Sequence, residues 1–219
     1  ARDRALARMS VAVLGSINVD IAAYAERLPR PGETLHGESY AVTLGGKGAN
    51  QAVAAARLGA EVSLIGRIGR DGFVDTARNV LIDAGIDTSL VLADPVAATG
   101  IAIIGVDAKG QNAITVIAGA NLSLDEADVE RGRAALSSAR VAMLQLETPP
   151  SVSYIAADIA RASGARVIFD PAPAPYEGLS PDLYRLVDIL TPNEIETEAL
   201  VGFRPSNAEE GPRACRLLL

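Results

Sequence analysis

Short runs of consecutive apolar residues alternate along the chain with segments whose apolar positions recur every three to four residues. The runs are Val11–Leu14, Val62–Ile65, Val141–Leu146, Val167–Phe169 and Val187–Leu190, and each predicts a buried strand. Helical periodicity fills Asn50–Leu58, Val74–Ala84, Leu124–Leu136, Val152–Ser163 and Pro181–Leu186. Ser123 with Glu126 predicts a capping box for one of these helices, and Gly164 closes another. Apolar strands alternating with amphipathic helices predict an α/β fold: a mostly parallel sheet covered by helices on both faces.

Two segments break that rhythm. Thr34–Thr43 and Thr99–Ile117 alternate apolar and polar residues, and Asp107-Ala108-Lys109-Gly110 supplies a turn within the second. Half-exposed antiparallel strands are too few here to stand alone. They predict a small β-sheet lid, from about residues 33–44 and 98–118, projecting over whatever the main domain binds. The arginine-rich residues 1–10 are expected to be an N-terminal extension, with one α/β domain over 11–219. Ser206 and Glu209 predict a last capping box, for a helix that reaches Leu217–Leu219. A helix ending on three leucines reads as one cut before its next strand, which is the expectation at Leu219.

Composition narrows the class. At 219 residues and 49% hydrophobic content, the chain can bury a full core. A net charge of −7 without a basic stripe argues against nucleic acid as the main partner. No apolar run reaches membrane-spanning length and no signal-type segment follows the N-terminus, so no membrane partner is expected. Cys215 is the single cysteine, which excludes an internal disulfide, and His36 is the single histidine, which argues against a His-rich metal site. A cytoplasmic protein is the expectation.

The strongest chemical signal is Gly45-Gly46-Lys47-Gly48-Ala49-Asn50-Gln51. This glycine-rich turn brings one lysine and one amide to the start of a helix, where free N–H groups favour polar or anionic ligands. It is not a Walker A loop, because Gly48 rather than Ser or Thr follows Lys47, and it lacks G-x-G-x-x-G spacing. The second signal is convergence. Ligands of open parallel sheets bind beyond the carboxyl ends of the strands. Asn18 and Asp20, Glu147, Asp170, and Asn193 with Glu196 each follow a different predicted strand. Asn18, Asp20, Lys47, Asn50 and Glu147 would suit a polyol, with carboxylates accepting from hydroxyls and amides and lysine donating.

Each of these residues also has a plainer reading. Asp20 could cap the turn after its strand, Lys47 could be solvated, and Glu147 could cap a helix starting near Ser151. Asn193 and Glu196 could merely start a helix. Asp170 reads as ordering the proline-rich loop after it, His36 as a surface residue, and Cys215 as packing.

Several segments together resemble the PfkB-type, ribokinase-like carbohydrate kinase family. They are Leu14–Asp20, Pro31–Thr34, Gly45–Ala60, Ala118-Gly119-Ala120-Asn121, Gln145-Leu146-Glu147, Asp170–Ala174 and Thr191-Pro192-Asn193-Glu194. The resemblance runs from about Val11 to Leu219. It implies a ribokinase-like fold in which Asn18, Asp20, Gly46, Lys47, Gly48, Asn50 and Glu147 line a pentose site. It implies that Asn193 contacts the nucleotide, and that Glu196 lies near the triphosphate and its magnesium ion, acting on the metal indirectly. The implied reaction moves the γ-phosphoryl group of ATP to the 5-hydroxyl of D-ribose. The implied cofactors are ATP, Mg2+ and a monovalent cation such as K+, and the implied assembly is a homodimer through the lid sheets. The family's Asp-Thr-x-Gly-Ala-Gly-Asp segment, which carries the catalytic base, does not occur in the sequence. That aspartate and the monovalent-cation loops are therefore expected beyond Leu219. A non-catalytic sugar-binding protein is the alternative, and a related kinase acting on another sugar or a nucleoside is a third reading.

Overall fold

The computed structural model describes residues 9–175 and 178–218. Most of the expected N-terminal extension, residues 1–8, lies outside them. Six strands form one all-parallel sheet: β1 (Ser10–Leu14), β4 (Glu61–Ile68), β5 (Val91–Ala93), β8 (Val141–Leu144), β9 (Arg166–Phe169) and β10 (Ile189–Leu190). Their order is β10-β9-β8-β1-β4-β5. Within the continuous apolar run of β1, Val11 and Val13 face one layer while Ala12 and Leu14 face the other. That period of two is why both faces can be buried by an unbroken apolar strand.

The helices divide between the two faces. Helices α1 (Lys47–Arg57) and α2 (Val74–Asp83) cover one through Ala49, Ala52, Val53, Ala77 and Leu81. Helices α3 (Glu126–Arg131), α4 (Arg133–Ser138), α5 (Pro150–Ala162) and α6 (Pro181–Leu186) cover the other through Val129, Leu136, Val152 and Leu183. The chain winds from β1 toward β5 in one direction and from β8 toward β10 in the other. Right-handed crossovers in opposite directions place helices on opposite faces. Helices α7 (Glu194–Val201) and α8 (Glu210–Leu218) follow β10.

The second sheet is mixed and four-stranded, in the order β3-β2-β6-β7. It contains β2 (Asn18–Tyr24), β3 (Ser39–Gly45), β6 (Gly100–Val106) and β7 (Asn112–Ile117). The hairpin at Asp107–Gly110 forms as its turn residues predict, with Gly110 at φ 78°. Two strands escaped the sequence reading. β5 is only three residues long, and β2 reads as a loop because the polar Asn18 and Asp20 interrupt its apolar pattern.

Four local expectations are corrected. The predicted Leu124–Leu136 helix is two helices, broken at Gly132, where the backbone lies so close to Ile65 that a Cβ would collide with it. Its cap is Asp125, whose side chain accepts from Asp128 N while Asp128 accepts from Asp125 N, and Ser123 is not the cap. Ahead of α8, Asn207 Oδ1 accepts from Glu209 N and Glu210 N in the role assigned to Ser206, and Cys215 is exposed rather than packed. Among the described residues, no helix is long and apolar enough to cross a membrane.

Leu14 is fully buried at the centre of the sheet. Leu14→Ala should cost about 2–5 kcal/mol, since the surrounding layers cannot collapse onto the space. Urea unfolding followed by circular dichroism measures it, and an unchanged midpoint would contradict this packing.

Candidate functional site

The winding reverses at β1, which leaves a crevice at the carboxyl ends of β1 and β8. The chain leaves β1 through Gly15-Ser16-Ile17 and leaves β8 through Gln145-Leu146-Glu147, and the first turn of α1 stands between them. Glu147 Oε2 ties the three together, accepting from Ser16 Oγ at 2.6 Å and from Lys47 N at 3.0 Å. Ser16 Oγ accepts from Gly48 N at 3.3 Å, and Ser16 O accepts from Ala49 N at 2.9 Å.

The first N–H groups of α1 are thus used by the protein itself. A carboxylate already occupies the place where a helix N-terminus attracts negative charge. The plainer reading of Glu147 fails, because α5 begins at Pro150 after Pro149 without a side-chain cap. Asp170 is reassigned too. Its Oδ2 lies 3.3 Å from Lys47 Nζ, so it holds the lysine across the crevice.

Asn18 and Asp20 lie on β2 rather than in a loop, two residues apart and therefore on one face of the strand. The Asp20 carboxylate rests over the Cα of Gly45, in space that any side chain there would fill. Burial raises the pKa of Asp20 above the usual aspartate value, and the negative charge of Glu147 adds to the rise. Gly46 has φ 88°, and a Cβ on it would lie 2.8 Å from Asn18 N. A Cβ on Gly48 would lie 2.6 Å from the carbonyl carbon of Gly15. These two glycines let the start of α1 seat directly on the β1–β2 turn.

Asn18, Lys47, Asn121 and Glu147 form the polar wall of a cavity of about 520 Å³, whose apolar wall includes Val116, Leu122 and Leu146. Asp20, Gly46, Gly48 and Asn50 do not border that cavity. Asp20 lies farther along β2, and Asn50 is exposed on α1. An adjoining cavity of about 770 Å³ is lined by Asn193, Glu196, Ala174 and Glu198, and Pro173 and Glu196 border both.

Asn193 and Glu196 do start a helix, as their plainer reading has it. Asn193 Oδ1 accepts from Ile195 N and Glu196 N, while Glu196 Oε2 accepts from Asn193 N at 2.7 Å and Oε1 from Asn193 Nδ2 at 2.9 Å. Both Glu196 oxygens are therefore engaged. Among the described residues, no group of three or more His, Cys, Asp or Glu side chains is placed to hold a metal ion.

Sequence reasoning gave no role to Ser16, Asn121 or Gln145. Gln145 is fully buried, with Nε2 donating to Gln51 Oε1 at 2.6 Å and to Leu14 O at 3.2 Å. Its Oε1 has no hydrogen-bond donor and fills the space that a Cβ on Gly15 would take. Their only sequence signal was membership of segments that carry the family resemblance.

The profile of the pfkB family of carbohydrate kinases matches residues 8–215. The ribokinase of Haemophilus influenzae is 42% identical over 207 residues, covering 94% of this chain and 67% of that protein. The ribokinase of Mus musculus is 40% identical over 210 residues, covering 96% of this chain and 65% of its own length. The chain thus spans about two thirds of the length of these relatives. A solved structure of Arabidopsis thaliana ribokinase complexed with ribose and ATP superposes with a TM-score of 0.83 at 30% identity, covering 96% of this chain and 68% of that one. With the glycine-rich start of α1 and its carboxylate partner set at the carboxyl edge of such a sheet, the chain belongs to the pfkB family of carbohydrate kinases.

Proposed function

We propose that this chain carries the sugar site of a kinase that transfers the γ-phosphoryl group of ATP to the 5-hydroxyl of D-ribose. The observation that carries the reading is the charge state of the crevice. Glu147 already meets the N-terminus of α1, Asp170 holds the Lys47 ammonium, and Asp20 lies close enough to Glu147 to feel its negative charge. A neutral polyol with many hydroxyl hydrogens to give suits that surrounding, and an anion does not. Similarity to ribokinases, one of them solved with ribose and ATP, points to the same class.

In this reading Asp20 and Glu147 accept hydroxyl hydrogens, while Asn18 and Lys47 donate to hydroxyl oxygens. Gly46, Gly48 and Asn50 complete the pentose site at the start of α1. The adjoining cavity takes the phosphate end of ATP beside Asn193. Mg2+ would neutralise charge on the phosphates. Both Glu196 oxygens accept from Asn193, which fixes the orientation of the carboxylate, and in this reading it acts on the ion through water. The remaining work is positioning, which is how phosphoryl transfer gains most of its rate. The catalytic aspartate and the K+ site belong, in this reading, to residues outside these 219.

The second sheet acts as the lid that excludes water. Its face opposite Asn18 and Asp20 exposes Tyr40, Val42, Ile103 and Ile117, which supports a homodimer through the lids of a cytoplasmic enzyme.

Calorimetric titration of D-ribose into the folded protein tests the site. Asp20→Asn should weaken binding about tenfold or more, the usual cost of losing hydrogen bonds to a charged group. D-Ribonate, the five-carbon acid in which C1 of ribose is a carboxylate, should bind at least about tenfold more weakly than ribose, given the Coulomb cost beside three carboxylates. Equal affinities would sink the polyol reading.

Acidity gives an independent check. Hydroxyl hydrogens donated to ionised Asp20 favour its charged form, so the sugar-bound group titrates below the free one. Affinity should be full above the raised pKa of free Asp20 and fall on acidification through it, at a pH above that of an ordinary aspartate. The Asp20→Asn protein should lack that part of the pH profile, and an identical profile in both proteins would contradict the assignment.

A further inference from the structure

Asn121 is 1% exposed and sits in a 3-10 turn, Gly119–Ser123, between β7 and α3. Its hydrogen bonds fix more than the turn. The backbone N–H of Ile17 can only donate, so the Asn121 atom 2.8 Å from it is Oδ1. The Nδ2 of Asn121 then donates to Asn18 Oδ1 at 2.7 Å, to Ala118 O at 2.8 Å and, more weakly, to Ile17 O at 3.3 Å. An amide nitrogen does not accept, so the Asn18 atom in that bond is its oxygen. One backbone N–H therefore sets the orientation of two side-chain amides in series. Gly100 closes the arrangement, because a Cβ there would strike both the Asn18 oxygen and the Asn121 nitrogen.

Asn18 is itself buried except toward the cavity it lines. With its oxygen turned toward Asn121, its NH2 group is the part of the amide left to face a ligand. We propose that Asn121 is a positioning residue that makes Asn18 a donor-only reader of the sugar. The inference rests on the sugar-site reading above. Asp20, one step along the same strand face, is an acceptor when ionised. Strand geometry sets the two residues about 7 Å apart, a span that neighbouring hydroxyls of one pentose can bridge. Together they read a polyol in one sense: an oxygen toward Asn18 and a hydrogen toward Asp20. A free amide at position 18 could turn over and would not distinguish the two senses.

Asn121→Asp keeps size and shape, and the introduced carboxylate still accepts from Ile17 N. It cannot donate to Asn18, so the Asn18 amide turns over to donate to it, and its oxygen now faces the cavity. D-Ribose affinity, measured by calorimetry on protein shown by circular dichroism to be folded, should fall about tenfold or more. In a series of singly deoxygenated riboses, the analogue most penalised by the unmodified protein because it lacks Asn18's partner should lose that penalty in the variant. A folded Asn121→Asp protein with unchanged ribose affinity and an unchanged analogue ranking would overturn the proposal.

A measurement on the unmodified protein covers the case of a variant that fails to fold. In 15N–1H spectra, the Asn121 NH2 pair should resist hydrogen exchange with or without sugar, and the Asn18 NH2 pair should shift and become protected on adding ribose. An Asn18 pair that does not respond while Asp20 or Lys47 resonances do would overturn the proposal and leave the sugar site standing. If no resonance responds and calorimetry shows no heat, the sugar-site reading itself fails and takes this proposal with it.

Discussion

A single carboxylate oxygen, Glu147 Oε2, joins the end of β8, the β1–β2 turn and the first turn of α1 through Ser16 Oγ and Lys47 N. The three pieces are far apart in sequence, 131 and 100 residues from Glu147. Their meeting fixes where Lys47 leaves the backbone and where β2 enters the second sheet. In the proposed reading it also decides what kind of ligand the crevice accepts. A helix N-terminus answered by an internal carboxylate no longer calls for an anion, and it leaves behind a surface that seeks hydrogen-bond donors. The close seating of Gly46 and Gly48 against residues 15–18 follows from the same junction, because Cβ atoms there would push α1 away from its partner.

The second sheet enters the site at its root. Val19, Ile21, Leu44 and Ile101 pack onto the α1–α2 side of the core, while Asn18 and Asp20 face the crevice from the other side of the same strands. One alternating strand thus anchors the sheet and supplies two polar groups to the site. Its outer half is exposed, with Ile114 and Val116 on one face and Tyr40 and Ile103 on the other. That division, a root packed on the core and carrying the residues proposed to face the ligand, with an open outer half, is what a lid needs.

Much of this was legible in the sequence, and the reasons are specific. The parallel sheet was readable because strands buried on both faces carry unbroken apolar runs such as Val11–Leu14 and Val141–Leu144. The glycine–lysine turn was readable because few other structures need three glycines around a lysine. β2 was not readable, since the polar residues Asn18 and Asp20 spoil the apolar pattern that marks a strand. The partnership of Glu147 with α1 was hidden because capping is ordinarily local, and here it reaches across 100 residues. Asn121 was hidden for a related reason: an asparagine in a glycine-bearing loop looks like turn chemistry until the backbone of Ile17 is seen opposite it.

The account stands on one claim, that the crevice between Glu147, Lys47 and β2 holds a neutral pentose. A crystal structure of the protein with D-ribose tests it most directly. The expected result is a sugar that enters the cavity of about 520 Å³ and reaches past its rim along β2 to Asp20. Hydroxyl groups should lie within about 3.2 Å of Glu147, Lys47, Asp20 and the Asn18 amide nitrogen. Ribose bound elsewhere, or a crevice that stays free of it at saturating concentration, would contradict the account.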